Sequence, residues 1–322
     1  MKLVLFDSRD RFPGLEGALG AFPDVTLARA RDLPSLAVAL AGAKILITSN
    51  RIYTPEPAAV IREHGENLRW IQFSTSGIDK AVESGLPSGV TVTNAAGLRA
   101  FAVAEHAIAL MLDLVRQVRA TEKARADDFW CRDVVTLSMD NLSGKHLVLV
   151  GLGAIGQEIA RKAKAFDMRI TGISRAAEPI ANIDRIRPRS ELQAAAAEAD
   201  ILLLSVNHDE STDKILSRAV IQAMKTSAYL VNIARGQLVD EPALIDALKE
   251  GKIAGAALDV TVTEPLPAGH PFWAMPNVLL TPHVAGAGST DDGTAFLKIF
   301  LGNLDRWLRK EPLRNVVIER TS

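Results

Sequence analysis

His146-Leu147-Val148-Leu149-Val150-Gly151-Leu152-Gly153-Ala154-Ile155-Gly156-Gln157-Glu158-Ile159-Ala160 is the stretch around which the chain is organised. A short apolar run ends in Gly-x-Gly-x-x-Gly, and a helical pattern follows at once. The order predicts a strand, a tight turn and a helix. Gly151 permits the turn, Gly153 lets the backbone come close to a pyrophosphate, and Gly156 lets the helix sit tightly on the strand. The helix opening at Ala154 and Ile155 presents N–H groups and a positive dipole end to phosphates. A glycine triplet alone also fits a purely structural turn. The strand before it and the helix after it point instead to a dinucleotide site.

Working outward, short apolar runs alternate with helical patterns on both sides. Before the triplet, strands are expected at Lys2–Phe6, Val25–Ala28, Lys44–Thr48, Arg69–Phe73 and Val90–Thr93, with helices at Leu15–Ala21, Leu33–Ala41 and Pro55–Glu63. Beyond it, strands are expected at Arg169–Ser174, Ile201–Val206, Tyr229–Ile233, Ala256–Val260 and Val278–Thr281, with helices between them such as Glu241–Leu248. Such alternation predicts parallel sheets. One long helix is expected over Ala100–Ala126, buried at its apolar start and solvated at its charged end. Within it, His106 reads as a buried, satisfied histidine, and Glu105 as a carboxylate needing a partner. Residues 127–145 read as irregular. Residues 291–310 read as an amphipathic helix, and Val316-Val317-Ile318 as a tail able to return to the first domain. Hinges are expected around Asn94–Leu98 and Ala285–Asp291.

The composition narrows the function. The chain has 322 residues, 48% hydrophobic and 23% charged, enough for two globular domains. A formal net charge of −1 and the lack of a basic stripe argue against nucleic acid or an anionic membrane as partner. The single cysteine, Cys131, excludes a disulfide framework and a cysteine-based metal site, and no metal is expected. No apolar run reaches the roughly 18 residues of a membrane helix, so a cytoplasmic protein is the expectation.

In open parallel sheets, ligands bind outside the carboxyl ends of the strands. Arg235, Asp259 with Glu264, and His283 fall at the ends of three successive expected strands, on the edge that carries the glycine turn. Together they suit hydride transfer to a carbonyl beside a carboxylate. A guanidinium can fork onto a carboxylate and a neighbouring oxygen. An imidazole can supply the proton that the new alkoxide needs, and Glu264 can orient that imidazole. Alone, Arg235 and Glu264 also read as members of surface ion pairs, and His283 as part of an exposed loop.

The segment Val231-Asn232-Ile233-Ala234-Arg235-Gly236-Gln237-Leu238-Val239-Asp240-Glu241 strongly resembles the signature of the D-isomer-specific 2-hydroxyacid dehydrogenases. So do Gly255-Ala256-Ala257-Leu258-Asp259-Val260 with Glu264-Pro265-Leu266-Pro267, and His270-Pro271-Phe272-Trp273 with Thr281-Pro282-His283-Val284-Ala285-Gly286. Ser76-Gly77-Ile78-Asp79 and Val103-Ala104-Glu105-His106 extend the likeness over nearly the whole chain. The resemblance implies two doubly wound α/β domains. A Rossmann dinucleotide-binding domain (98–286) is inserted in a flavodoxin-like substrate domain (1–97 and 287–322). It implies Arg235, Glu264 and His283 as the catalytic set. The Ser76–Gly77 backbone, with Arg235 and His283, would bind substrate. Val206, Asn207, Ile233, Ala234, Asp259 and His283 join the glycine turn around the cofactor, and the chain pairs as a homodimer through its nucleotide-binding domain. The implied reaction is reduction of small 2-oxo acids such as glyoxylate and hydroxypyruvate. Alternatives of the same fold are a corepressor-like cofactor sensor and a phosphite-type dehydrogenase. Where many members carry Pro-Leu, this chain has Asn207-His208-Asp209, and His208 reads as structural.

A carboxylate about 20 residues past the glycine turn takes the ribose 2′-OH of NAD. Here the strand ends in Gly172-Ile173-Ser174-Arg175, with no acid at its tip. Ser174 and Arg175 suit a 2′-phosphate instead, so NADP(H) is expected in preference to NAD(H).

Overall fold

The structure, a computed structural model, describes residues 1–9, 12–175, 178–288 and 292–319. The chain divides into two compact units, Met1–Leu98 with Ser289–Ser322, and Arg99–Gly288.

The first unit begins with strands β1 (Lys2–Phe6), β2 (Thr26–Ala30), β3 (Ala43–Thr48), β4 (Trp70–Phe73) and β5 (Thr91–Thr93). They pair in parallel in the order β5-β4-β3-β1-β2. Alternate residues feed opposite faces. Val4, Phe6, Leu46, Ile71 and Phe73 enter one core, while Leu3, Leu5, Ile45, Ile47 and Trp70 enter the other. Strands buried on both faces explain the nearly unbroken apolar runs.

The second unit holds β6 (His146–Val150), β7 (Arg169–Ile173), β8 (Arg185–Arg187), β9 (Ile201–Leu204), β10 (Tyr229–Asn232), β11 (Gly255–Leu258) and β12 (Val278–Leu280). All pair in parallel, in the order β12-β11-β10-β9-β6-β7-β8. The order reverses direction at β6, the strand that enters the glycine turn, and such a switch point opens a crevice. Again the cores alternate: Val148, Val150, Leu202 and Leu230 on one face, Leu147, Leu149, Leu203 and Val231 on the other. Apolar patterning does not reveal β8, because Arg185-Ile186-Arg187 offers one apolar residue between two arginines.

The chain then returns to the first unit. Helix Asp292–Leu308 buries Phe296, Phe300 and Leu304 in that unit's core. Trp70 stacks on Phe300 and Trp307, with ring centroids 5.5 and 5.7 Å apart. Strand β13 (Val316–Ile318) closes the sheet by pairing antiparallel with β5. Of the expected hinge Ala285–Asp291, residues 289–291 lie outside the described residues, as does the first residue of the expected helix 291–310.

The expected long helix is two. Ala100–Arg116 ends at Gln117, which takes the left-handed conformation at φ 55°, and Val118–Ala126 follows. The Asp113 carboxylate accepts from Arg119 N at 2.8 Å and so caps the new start. Arg119 Nη1 donates to the Val278 carbonyl, tying the second helix to the sheet. Apolar periodicity alone does not register such a polar break. Residues 127–145 are not wholly irregular, since Arg132–Val135 makes a helical turn. Among the described residues no helix is long and apolar enough to cross a membrane, and no cluster of His, Cys, Asp and Glu suits a metal.

At the amino end of β6, His146 is buried. Its Nδ1 donates to the Glu198 carbonyl at 3.1 Å, and its Nε2 lies 2.8 Å from Thr171 Oγ1. With Nδ1 carrying the proton, Nε2 accepts from the hydroxyl, and the ring is neutral. Burial pushes this imidazole below its ordinary range. The unfolded chain therefore binds a proton that the folded one resists, and stability is lost as pH falls from about 6.5 through the depressed folded value. Denaturant unfolding at pH 7.5 and 5.5 should show this loss, and His146→Gln should flatten it. An unchanged pH slope in the variant would contradict the assignment.

Candidate active site

The β6–glycine turn is held by backbone packing. Gly151 takes φ +99°, and a Cβ there would lie 2.7 Å from Val206 N. A Cβ on Gly156 would stand 2.2 Å from the Gly151 carbonyl oxygen. Ser205 Oγ donates to that same carbonyl at 2.8 Å. Gly153 is different: a Cβ there meets nothing within 4 Å. It opens the helix Ala154–Lys164 without a side-chain cap, so the first-turn N–H groups of this helix face outward without competition from a cap.

A cleft of about 390 Å³ lies over this turn. Gly151, Gly153, Ser174, Arg175, Val206 and Asn207, all expected from the sequence, line it together. Ala154, Ile155 and Gly156 form the helix start beneath it. The open space over Gly153, the uncapped helix and the arginine fit a phosphorylated dinucleotide. Arg189, Ser205 and Asp209 also line the cleft and were not singled out in the sequence. Arg189 follows β8, and without that strand its place could not be read. His208 pairs with Asp213 at 3.0 Å, in keeping with a structural part.

The second group gathers at the ends of β10, β11 and β12. Asn232 shapes the turn after β10. Its Nδ2 donates to the Arg235 carbonyl at 2.8 Å, and its Oδ1 accepts from Ala234 N at 3.1 Å. Arg235 Nη1 donates to the Ala234 carbonyl at 2.7 Å. Ile233 and Ala234 are buried under that turn.

Asp259, only 2% exposed, gathers the loop after β12. Its Oδ1 accepts from Thr281 Oγ1 at 2.6 Å and Val284 N at 2.9 Å, and its Oδ2 from Ala285 N at 2.9 Å. His283 N donates back to the Asp259 carbonyl at 2.8 Å. His106 Nε2 stands 3.0 Å from Thr281 Oγ1. That hydroxyl spends its proton on Asp259, so His106 is the donor. The histidine read as satisfied thus supports the loop. Glu105, by contrast, is exposed and pairs with Lys162 at 3.2 Å.

So braced, His283 sits at φ +53° and points Nδ1 at Glu264 Oε2, 2.7 Å away. A carboxylate only accepts, so Nδ1 carries the proton and Nε2 faces the other way for chemistry. Glu264 Oε1 also accepts from Thr261 N at 3.2 Å, which fixes the carboxylate. These residues border a cavity of about 600 Å³ with Pro265, Leu266, Trp273 and Pro282.

In the first unit, the loop Ser74–Gly77 leaves the carboxyl end of β4. Ser76 Oγ donates to the Ala95 carbonyl at 3.0 Å, Asn94 Nδ2 donates to the Ser76 carbonyl, and Thr75 Oγ1 donates to the Gly77 carbonyl. The loop is thus pinned to the one that follows β5.

Residues 108–285 match the family described as D-isomer specific 2-hydroxyacid dehydrogenase, NAD binding domain. The chain belongs to this family. Among its relatives, a glyoxylate reductase of Pyrococcus furiosus is 36% identical over 255 residues, 77% of this chain and 75% of that protein. A D-isomer specific 2-hydroxyacid dehydrogenase family protein from Aeromonas salmonicida superposes with TM-score 0.84 at 27% identity, covering 98% of each chain. An acyclic imino acid reductase, solved in complex with NADPH and D-Arg, superposes with TM-score 0.80 at 25% identity, covering 99% of this chain and all of that one. The fold is accordingly that of the 2-hydroxyacid dehydrogenases, with a Rossmann NAD-binding domain.

The glycines of the turn should separate by experiment. Gly156→Ala should cost about 3 kcal/mol of stability, because its methyl meets backbone. Gly153→Ala should leave stability within about 0.5 kcal/mol yet weaken dinucleotide binding. Denaturant unfolding and fluorescence titration with NAD(H) and NADP(H) check both. A Gly153 variant that binds normally would remove this glycine from the site.

Proposed function

We propose that the enzyme reduces small 2-oxo acids of the glyoxylate and hydroxypyruvate type to D-2-hydroxy acids, using NADPH in preference to NADH. The observation that carries this reading is the His283–Glu264 contact of 2.7 Å at the carboxyl edge of a dinucleotide-binding sheet. The bound coenzyme supplies the hydride. Arg235 pairs with the substrate carboxylate and the adjoining carbonyl oxygen, aided by the Ser76–Gly77 backbone. His283 Nε2 gives its proton to that oxygen as negative charge builds there. Glu264 holds the ring against rotation and steadies its positive charge until the proton leaves. Asp259 fixes the loop that carries His283, and Ile233 and Ala234 form the floor of the coenzyme site beside it. The unit Arg99–Gly288 is the dinucleotide-binding domain and the remainder binds substrate.

Ser174 and Arg175 at the tip of β7, with no carboxylate there, favour NADP(H). The NADPH-bound imino acid reductase of the same fold is consistent with that preference.

Steady-state assay of a 2-oxo acid panel with both coenzymes tests the proposal. Activity should be higher with NADPH, and His283→Ala should lower kcat by about 10²–10⁴-fold while NADPH still binds. Dinucleotide binding without turnover on any 2-oxo acid would overturn it in favour of a cofactor-sensing protein.

We also infer a homodimer through the nucleotide-binding unit. Val118, Phe129, Trp130, Val134 and Leu137 are all exposed on one segment of it, Trp130 and Leu137 at 87% and 89%. Apolar surface of this kind marks an interaction face. Light scattering should report a dimer for the native chain and a monomer for a Trp130→Glu, Leu137→Glu variant. A native monomer, or a variant still dimeric, would refute the interface.

A further inference from the structure

Arg189 lines the same cleft as Ser174 and Arg175, and the proposed hydride and proton steps give it no part. It opens the short helical turn Arg189–Glu191 directly after β8. β7 and β8 are sheet neighbours, and Ser174 N donates to the Arg187 carbonyl at 3.1 Å, so the tips that bear the two arginines are tied together.

Its side chain is held by the loop that follows β9. Arg189 Nη1 donates to Ser211 Oγ at 2.9 Å, and Ser211 Oγ in turn donates to Asp209 Oδ1 at 2.6 Å. Ser211 N donates to the same carboxylate oxygen at 2.8 Å. Thr212 Oγ1 receives from Asp209 N at 2.7 Å and donates to the Asn207 carbonyl at 2.9 Å. These bonds fold Asn207–Asp213 into a pinned wall with Ser211 at the arginine. The Asp209 carboxyl lies below the usual carboxylate range, first because of the Ser211 hydroxyl and only last because of the Arg189 charge. Asp209 is thus committed to the loop. Among the described residues the Arg189 side chain hydrogen-bonds Ser211 alone, and no carboxylate forms an ion pair with it. A guanidinium fork has five N–H donors. Most of this one, and its charge, remains for an anion in the cleft.

We propose that Arg189 is a second specificity-determining residue for the adenosine 2′-phosphate, gripping it together with Arg175, with Ser211 as its positioning residue. The proposal rests on the NADP(H) reading above and deepens it. A ribose hydroxyl has no charge to set against two guanidiniums, whereas a phosphate monoester has up to two. It also gives the unusual Asn207-His208-Asp209 loop a purpose, since that loop presents Ser211.

Calorimetric titration with two probes, adenosine 2′,5′-bisphosphate and adenosine 5′-monophosphate, tests it without turnover. The native protein should bind the bisphosphate more tightly. Arg189→Ala should lose about tenfold in affinity for the bisphosphate, the size of one charge-assisted contact, and stay within about twofold for the monophosphate. Arg175→Ala should behave alike. Ser211→Ala should raise KM for NADPH with kcat unchanged. A native protein that binds the two probes equally would defeat the NADP(H) reading itself. If it discriminates, and Arg175→Ala abolishes the discrimination while Arg189→Ala keeps it, the coenzyme reading stands and the part given to Arg189 falls. Equal loss of both probes in Arg189→Ala would also overturn that part, since it marks general damage to the cleft.

Discussion

One buried carboxylate sets the geometry of the loop that carries His283. Asp259 has little contact with water, and each of its oxygens is taken by the loop Thr281–Ala285. An ionised group in such a place is tolerable only when every lone pair is met. That requirement holds Val284 and Ala285 in place, and between them and Thr281 the chain passes through a left-handed residue. That residue is His283. The imidazole meets Glu264 from a backbone held by Asp259. His106, reaching from the helix Ala100–Arg116, adds one more hydrogen bond to the same arrangement.

The coenzyme side follows another logic. There the glycine turn is packed from behind by Ser205 and Val206, and polar groups converge from the tips of β7, β8 and β9. Charge in the cleft is all of one sign where the phosphate end is expected, apart from Asp209, which is turned to its own loop. On the proposed function, selectivity between coenzymes would come from groups that do no chemistry, and the hydride and proton steps would fall at the far end of the same sheet.

Much of this was readable in advance, for physical reasons. Strands buried on both faces leave continuous apolar runs, so eleven of the thirteen strands among the described residues are legible within a residue or two, and β13 reads only as a returning tail. The glycine triplet and the residues at strand tips were readable because parallel sheets concentrate ligands there. What escaped was set by polar contacts distant in sequence. β8 carries arginines on its short length, so Arg189 had no frame. The break at Gln117 depends on Asp113 reaching forward to Arg119 and on Arg119 reaching the Val278 carbonyl. Glu105 reads as buried from its apolar neighbours, yet it is exposed and pairs with Lys162. The inward turn of the Asp259 side chain likewise depends on backbone groups more than twenty residues later.

The antiparallel return of β13 has a consequence for how the chain is made. The nucleotide-binding unit is continuous in sequence, whereas the sheet of the first unit stays bare along β5 until residues 316–318 arrive. Its core likewise lacks Phe296, Phe300 and Leu304 until then. At about 5–20 residues per second, a ribosome spends some tens of seconds or less between releasing Thr93 and releasing Ile318. During that interval the inserted unit can finish folding while the half that surrounds it waits with an open edge. Birth order and spatial order are thus inverted: the part that is encoded first is completed last.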